Sequence, residues 1–129
     1  MTVHHFRKEP SWRAWLRGFR HAFRGLGTLL ATQWNARIHV AAAALAVLLG
    51  FLWGLARWEW CAVLLSIALV LVSEALNTAL EFLVDLASPG IHPLAGKAKD
   101  VAAGAVLLSA LTATAVGAVV FGPRLWRFF

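Results

Sequence analysis

Four polar residues, Glu74, Asn77, Glu81 and Asp85, recur at intervals of three and four along one otherwise apolar segment. At helical periodicity that spacing puts them on one face. The chain has only six acidic residues, and three of them lie in this stripe. A carboxylate at a bilayer centre costs about 2.5–3.5 kcal/mol on insertion scales, so ionisable groups kept within a span are read first as functional. The structural alternative is an interhelical polar clamp. Carboxylates at a water boundary suit hard cations, above all Mg²⁺, which takes one or two carboxylates plus phosphate oxygens. Lys99 can neutralise phosphate charge, and Asp100 beside it adds an oxygen ligand or acceptor. Together these residues point to a nucleotide-phosphate site built without a P-loop. The sequence carries no Walker motif, soluble-kinase signature, nucleophile elbow or zinc-spaced Cys/His cluster. His4 and His5 read as solvated, and His39, bordering a span, as a headgroup contact rather than a ligand.

The elements that must hold this stripe are membrane helices. The 129-residue chain has the length of one domain. It is 60% hydrophobic and 14% charged, with a mean hydropathy of +0.72. A soluble domain of this size needs more polar residues to cover its surface. The net charge of +6 raises the question of nucleic acid. Seven of the twelve Lys and Arg residues (Arg7, Lys8, Arg13, Arg17, Arg20, Arg24 and Arg37) precede the first apolar run, however. A basic segment leading straight into membrane spans fits anionic lipid, not nucleic acid. The lone Cys61 excludes an intramolecular disulfide and reads as a small buried hydrophobe. No cleavable signal peptide is expected.

An all-α integral membrane fold follows, with a surface helix over about 11–32 and spans over about 38–56, 60–86 and 98–122. In the first helix Arg13, Arg17, Arg20 and Arg24 share one face, and Trp12, Trp15, Phe19 and Phe23 the other. Such a helix is expected to lie in the membrane interface, with Ser11 after Pro10 as its N-cap. Ile38–Ala56 is free of charge, and Arg57-Trp58-Glu59-Trp60 reads as an interfacial turn whose two Trp act as belt anchors. Glu59 is a favourable charge at the start of the next helix. If Trp60 marks one interface, Glu81 reaches the opposite boundary and Asp85 lies beyond it, with Glu74 about 10 Å inside. Turn chemistry over Ala87–Gly96 should end that helix, and Gly122-Pro123 the last one. The last span is rich in Ala and Gly, which permits close packing against neighbours. The Lys and Arg distribution places the N-terminus and the loop carrying Lys97 and Lys99 in the cytoplasm.

The segment Glu74-x-x-Asn77-Thr78-Ala-x-Glu81-x-x-Val84-Asp85, followed by His92-Pro93 and Ala98-Lys99-Asp100, resembles the prokaryotic diacylglycerol kinase family, which includes undecaprenol kinases. Phe19-x-x-Ala22-x-x-Gly25 and Asn35-Ala-Arg37-Ile-His39 are also similar to it, so the likeness runs from about 19 to 122. The resemblance implies a homotrimer of three-span subunits in the bacterial cytoplasmic membrane, with active sites shared between neighbours at the cytoplasmic interface. It implies ATP- and Mg²⁺-dependent phosphorylation of a lipid alcohol, undecaprenol or diacylglycerol. Glu74 would be the catalytic base and Asn77 would orient it, while Glu81 would bind Mg²⁺. Glu81, Asp85, His92, Lys99 and Asp100 would surround the nucleotide. One departure stands out: where the family commonly has a second metal-binding Glu, four residues before Arg37, this chain has Gln33. An amide oxygen can ligate Mg²⁺ but brings no charge. Asn77-Thr78 and the run from Lys99 resemble the undecaprenol branch more than the diacylglycerol branch. Two readings from other classes compete. One is a small transporter or proton-relay subunit using the carboxylates; the other is a membrane scaffold, which leaves the stripe unexplained.

Overall fold

Long apolar runs set where helices form here, and local caps set where they stop. The computed structural model describes residues 11–128. It contains α1 (Ser11–Thr32), α2 (Trp34–Trp53), α3 (Arg57–Ala87) and α4 (Pro93–Leu125), followed by a 3-10 turn, Trp126–Phe128. His4, His5 and Pro10 lie outside the described residues. Helices α2, α3 and α4 are each long and apolar enough to cross a membrane. With 31 and 33 residues, α3 and α4 outrun a hydrocarbon core of about 30 Å, so both extend past it.

The packing is inverted relative to a soluble protein. Phe51, Leu65, Leu86 and Val101 are exposed, whereas Glu74, Asn77, Thr78, Ser66 and Ser109 are buried. In water such an apolar surface would drive association; in lipid it is the face that meets the solvent. Helix α3 packs against both α2 and α4. At one end of the bundle Leu55, Val63 and Val120 form a small core with Trp60, Ile67 and Phe121 around it. Cys61, expected to be buried, is exposed on the outside of α3.

A single extended residue, Gln33 (φ −109°, ψ 113°), separates α1 from α2. The last carbonyls of a helix need partners, and Arg37 supplies them from the next helix. Its Nε donates to Leu30 O at 2.6 Å and its Nη2 to Ala31 O at 2.7 Å. Arg37 therefore braces the corner that presents Gln33.

At the other end of α2, Gly54 adopts φ +62°, the left-handed conformation that favours glycine at a helix C-terminus. The chain turns directly into α3. Arg57–Trp60, expected as a turn, is instead its first turn, because Glu59 Oε2 accepts the Ala56 N–H at 2.8 Å and caps the helix early. Glu59 also takes a bidentate pair from Arg124, with Nη1 at 2.8 Å and Nη2 at 2.7 Å. Helix α4 accordingly runs on to Leu125 with Pro123 inside it, where Gly122-Pro123 had been expected to end it. The loop between α3 and α4 is likewise shorter than expected. Pro93 occupies the first turn of α4, where a missing N–H costs nothing, and Gly96, Lys97 and Lys99 are already helical.

Only one of the two expected anchor tryptophans faces outwards. Trp58 is exposed, but Trp60 turns in and meets Phe51 in a tilted ring contact with centroids 4.8 Å apart. A Cβ added at Gly50 would lie 2.8 Å from Trp60 Cη2 and 3.0 Å from Leu55 Cδ1. Gly50→Ala is therefore expected to destabilise the bundle by about 1–3 kcal/mol through overpacking. Thermal unfolding in detergent micelles measures this, with Gly18→Ala, where the added Cβ meets nothing within 4 Å, as the control.

Candidate functional site

The start of α2, the end of α3 and the start of α4 meet at the bundle end opposite the Glu59–Arg124 pair, and the polar stripe lies there. Glu74 is 3% exposed. Its Oε1 has no hydrogen-bond partner, and His39 Nε2 approaches it to 3.3 Å from α2 without hydrogen-bond alignment. One turn on, Asn77 Nδ2 donates to Glu81 Oε1 at 2.8 Å. Gln33, from the α1–α2 corner, donates its Nε2 to the other oxygen of Glu81 at 3.4 Å. The Asn77 Oδ1 is buried without a partner. Thr78 returns its hydroxyl to Glu74 O at 2.9 Å and takes no part in the cluster.

Farther along α3, Asp85 forms an ion pair with Lys99 of α4. His92 caps α4 by accepting the Leu94 N–H on Nδ1 at 3.2 Å, which leaves Nε2 as the ring nitrogen not engaged in that cap. His92 and Asp100 are both exposed. Thus His39 faces Glu74, and Asn77 and Gln33 gather on Glu81, while Asp85 pairs with Lys99 farther along and His92 and Asp100 are exposed beyond them. Sequence reasoning assigned His39 to headgroups, and its ring faces Glu74 instead. The signal available for it was an ionisable group just inside a span.

Among the described residues no three His, Cys, Asp or Glu side chains converge into a metal cage. What is present suits Mg²⁺, which binds through one or two carboxylates and takes the rest of its shell from phosphates and water. Glu81 supplies a carboxylate near the helix end, and Gln33 and Asn77 are the amides beside it, each with its nitrogen towards the carboxylate. The Asn77 Oδ1 without a partner is one oxygen donor in need of a ligand. For Gln33 to ligate, its amide has to turn its oxygen towards Glu81.

The model of the prokaryotic diacylglycerol kinase family matches residues 20–121. The undecaprenol kinase of Bacillus subtilis (strain 168) is 41% identical over 109 residues, covering 84% of this chain and 89% of that protein. A diacylglycerol kinase of Synechocystis sp. is 42% identical over 108 residues, covering 83% of this chain but 62% of the relative. The diacylglycerol kinase of Escherichia coli (strain K12) is 36% identical over 64 residues, half of this chain. The family match spans the stripe, the Lys99-Asp100 pair and all three long apolar helices, and on that ground the chain belongs to the prokaryotic diacylglycerol kinase family and is a lipid kinase.

Proposed function

We propose that this lipid kinase moves the γ-phosphoryl group of ATP, with Mg²⁺, to the hydroxyl of undecaprenol at the cytoplasmic face of the bacterial inner membrane. The observation that carries the reading is an order of depth. A buried carboxylate, Glu74, sits about two turns below a cluster of oxygen donors at the helix end. Phosphate and metal belong at water, and the base belongs where a lipid hydroxyl can reach it.

In this mechanism Glu74 takes the hydroxyl proton as the lipid oxygen attacks the γ-phosphorus and the bond to the ADP oxygen breaks. Asn77 fixes the geometry between Glu74 and Glu81. Bound Mg²⁺ would neutralise charge on the phosphates, held by Glu81 with Gln33. Lys99 and His92 face the phosphates, with Asp85 and Asp100 completing the rim. The Arg face of α1 fits a helix lying among anionic headgroups. The seven basic residues up to Arg37 favour a cytoplasmic N-terminus. Gly104 and Gly117 on α4 have nothing within 4 Å, which supports packing against neighbouring copies in a homotrimer with shared sites.

Undecaprenol is preferred to diacylglycerol because the match to the Bacillus undecaprenol kinase runs nearly the length of both chains, whereas the Synechocystis match leaves over a third of that protein uncovered. The transporter or relay reading is disfavoured by the distribution of ionisable groups. Helix α4 has none between Asp100 and Arg124, and α2 none beyond His39, so no chain of ionisable groups crosses the bundle on these helices.

The test is phosphorylation in mixed micelles with labelled ATP, Mg²⁺ and either lipid. Label is expected in undecaprenol; label only in diacylglycerol reverses the substrate, and label in neither defeats the mechanism. Gln33→Glu in the same assay is expected to lower the Mg²⁺ concentration giving half-maximal rate, since it adds a charge beside Glu81. An unchanged requirement removes Gln33 from the metal site.

A further inference from the structure

A buried base has to dispose of its proton once per turnover. Glu74 is 3% exposed and its buried Oε1 has no hydrogen-bond donor, so a proton taken on that oxygen needs a neighbouring group to accept it. The group facing that oxygen is His39, whose Nε2 is 3.3 Å away and whose side chain is 25% exposed. One edge of the ring is thus against the carboxylate, and the part-exposed side chain also borders the cavity between α2, α3 and α4.

We propose that His39 is a positioning residue for Glu74: it faces the carboxylate and carries the proton that Glu74 takes from the lipid hydroxyl on towards water. The proposal rests on Glu74 being the base. The lipid O–H bond breaks and its proton goes to the Glu74 carboxylate as the lipid oxygen bonds to phosphorus. That proton passes from Oε1 to Nε2 of the neutral imidazole. The ring then gives one proton to water and returns to its neutral form, and Glu74 is again a carboxylate.

Among the described residues no other titratable group lies within ion-pair distance of Glu74. On α3, Glu81 is held by Asn77 and Gln33, and Asp85 by Lys99. On α2, Arg37 is turned back onto the α1 carbonyls, and no titratable residue follows His39. Helix α4 carries none between Asp100 and Arg124, and the last in α1 is Arg24, two turns before the corner. A helical surface that is otherwise alanine and valine at this level, Val40 to Ala44, has one imidazole, and it faces the one buried carboxylate of the site.

The experiment measures kcat, KM for ATP and the pH dependence of kcat for the parent, His39→Gln, His39→Ala and Glu74→Gln. The lipid used is whichever alcohol the parent phosphorylates. Both His39 variants are expected to lose about 100-fold in kcat, the lower end of the range for proton-transfer groups, with KM for ATP within about twofold. The pH dependence of kcat should change shape, and added imidazole should restore part of the His39→Ala rate. A merely structural histidine gives neither effect. If His39→Ala does not fold, His39→Gln decides through kcat and the pH profile. A His39→Gln enzyme with the parent's kcat and pH profile overturns the inference, and so does a slow one whose pH profile is unchanged. If that happens while Glu74→Gln is inactive, only the role of His39 falls; if Glu74→Gln is active, the role of Glu74 falls and this inference with it.

Discussion

Glu74→Gln is expected to lower kcat by about 100- to 10,000-fold, the span general bases contribute, while the protein stays folded and keeps its oligomeric state. The amide has the shape of the carboxylate and fits the same buried space, but it cannot accept the lipid proton. Burial of Glu74, at 3% exposure with Oε1 lacking a hydrogen bond, makes the second half of this expectation specific. A buried charge without good partners is costly, so removing it should leave the thermal midpoint in micelles unchanged or raised. Lost activity with unchanged or increased stability separates a catalytic carboxylate from a structural clamp, which would lose stability along with activity. A rate near the parent's removes Glu74 from the role of base.

Glu81→Gln is expected to act through the metal. Both Glu81 oxygens are approached by amide donors, Asn77 Nδ2 at 2.8 Å and Gln33 Nε2 at 3.4 Å, so the carboxylate is held in place at the end of α3. In the Gln33 background it is also the one carboxylate of that cluster, and its loss leaves only neutral oxygens for Mg²⁺. Residues that merely support a metal ligand change affinity by about 10–100-fold, and a direct ligand should cost at least that. The half-saturating Mg²⁺ concentration should rise by that factor or more, with the rate partly recovered at high Mg²⁺. Pairing Gln33→Glu with Glu81→Gln moves the charge to the other side of the cluster. It should recover part of the loss if the two residues share one ion, and none if they do not.

The contrast between these two substitutions follows from depth. In the proposed mechanism Glu74 answers to a proton and Glu81 to a metal because seven residues of helix, about 10 Å, separate a buried position from one at the helix end. The same helix also has a purely structural acid. Glu59 near the other end of α3 is tied to Arg124 and to the Ala56 N–H.

The stripe was legible in the sequence because helical periodicity is a local property: residues three and four apart share a face whatever the helix packs against. Span number and the existence of the stripe follow from composition and spacing alone. The helix ends were less legible. Pro123 reads locally as a stop and Arg57-Trp58-Glu59 as a turn, but Glu59 and Arg124, 65 residues apart, bond to each other and extend both helices past those signals. Trp60 reads as an interface anchor, yet it turns inwards because Gly50 leaves room for its ring.

What the sequence by itself determined is a membrane protein with acids aligned on one helix, together with the family likeness those acids carry. What only the tertiary structure decided is which partners the acids have. Gln33 reaches Glu81 across 48 residues because Arg37 ties the α1 corner closed, and His39 reaches Glu74 because α2 packs on α3. Spacing along one helix cannot encode such contacts. They depend on how two helices are rotated and offset against each other, which is set by packing along their whole length.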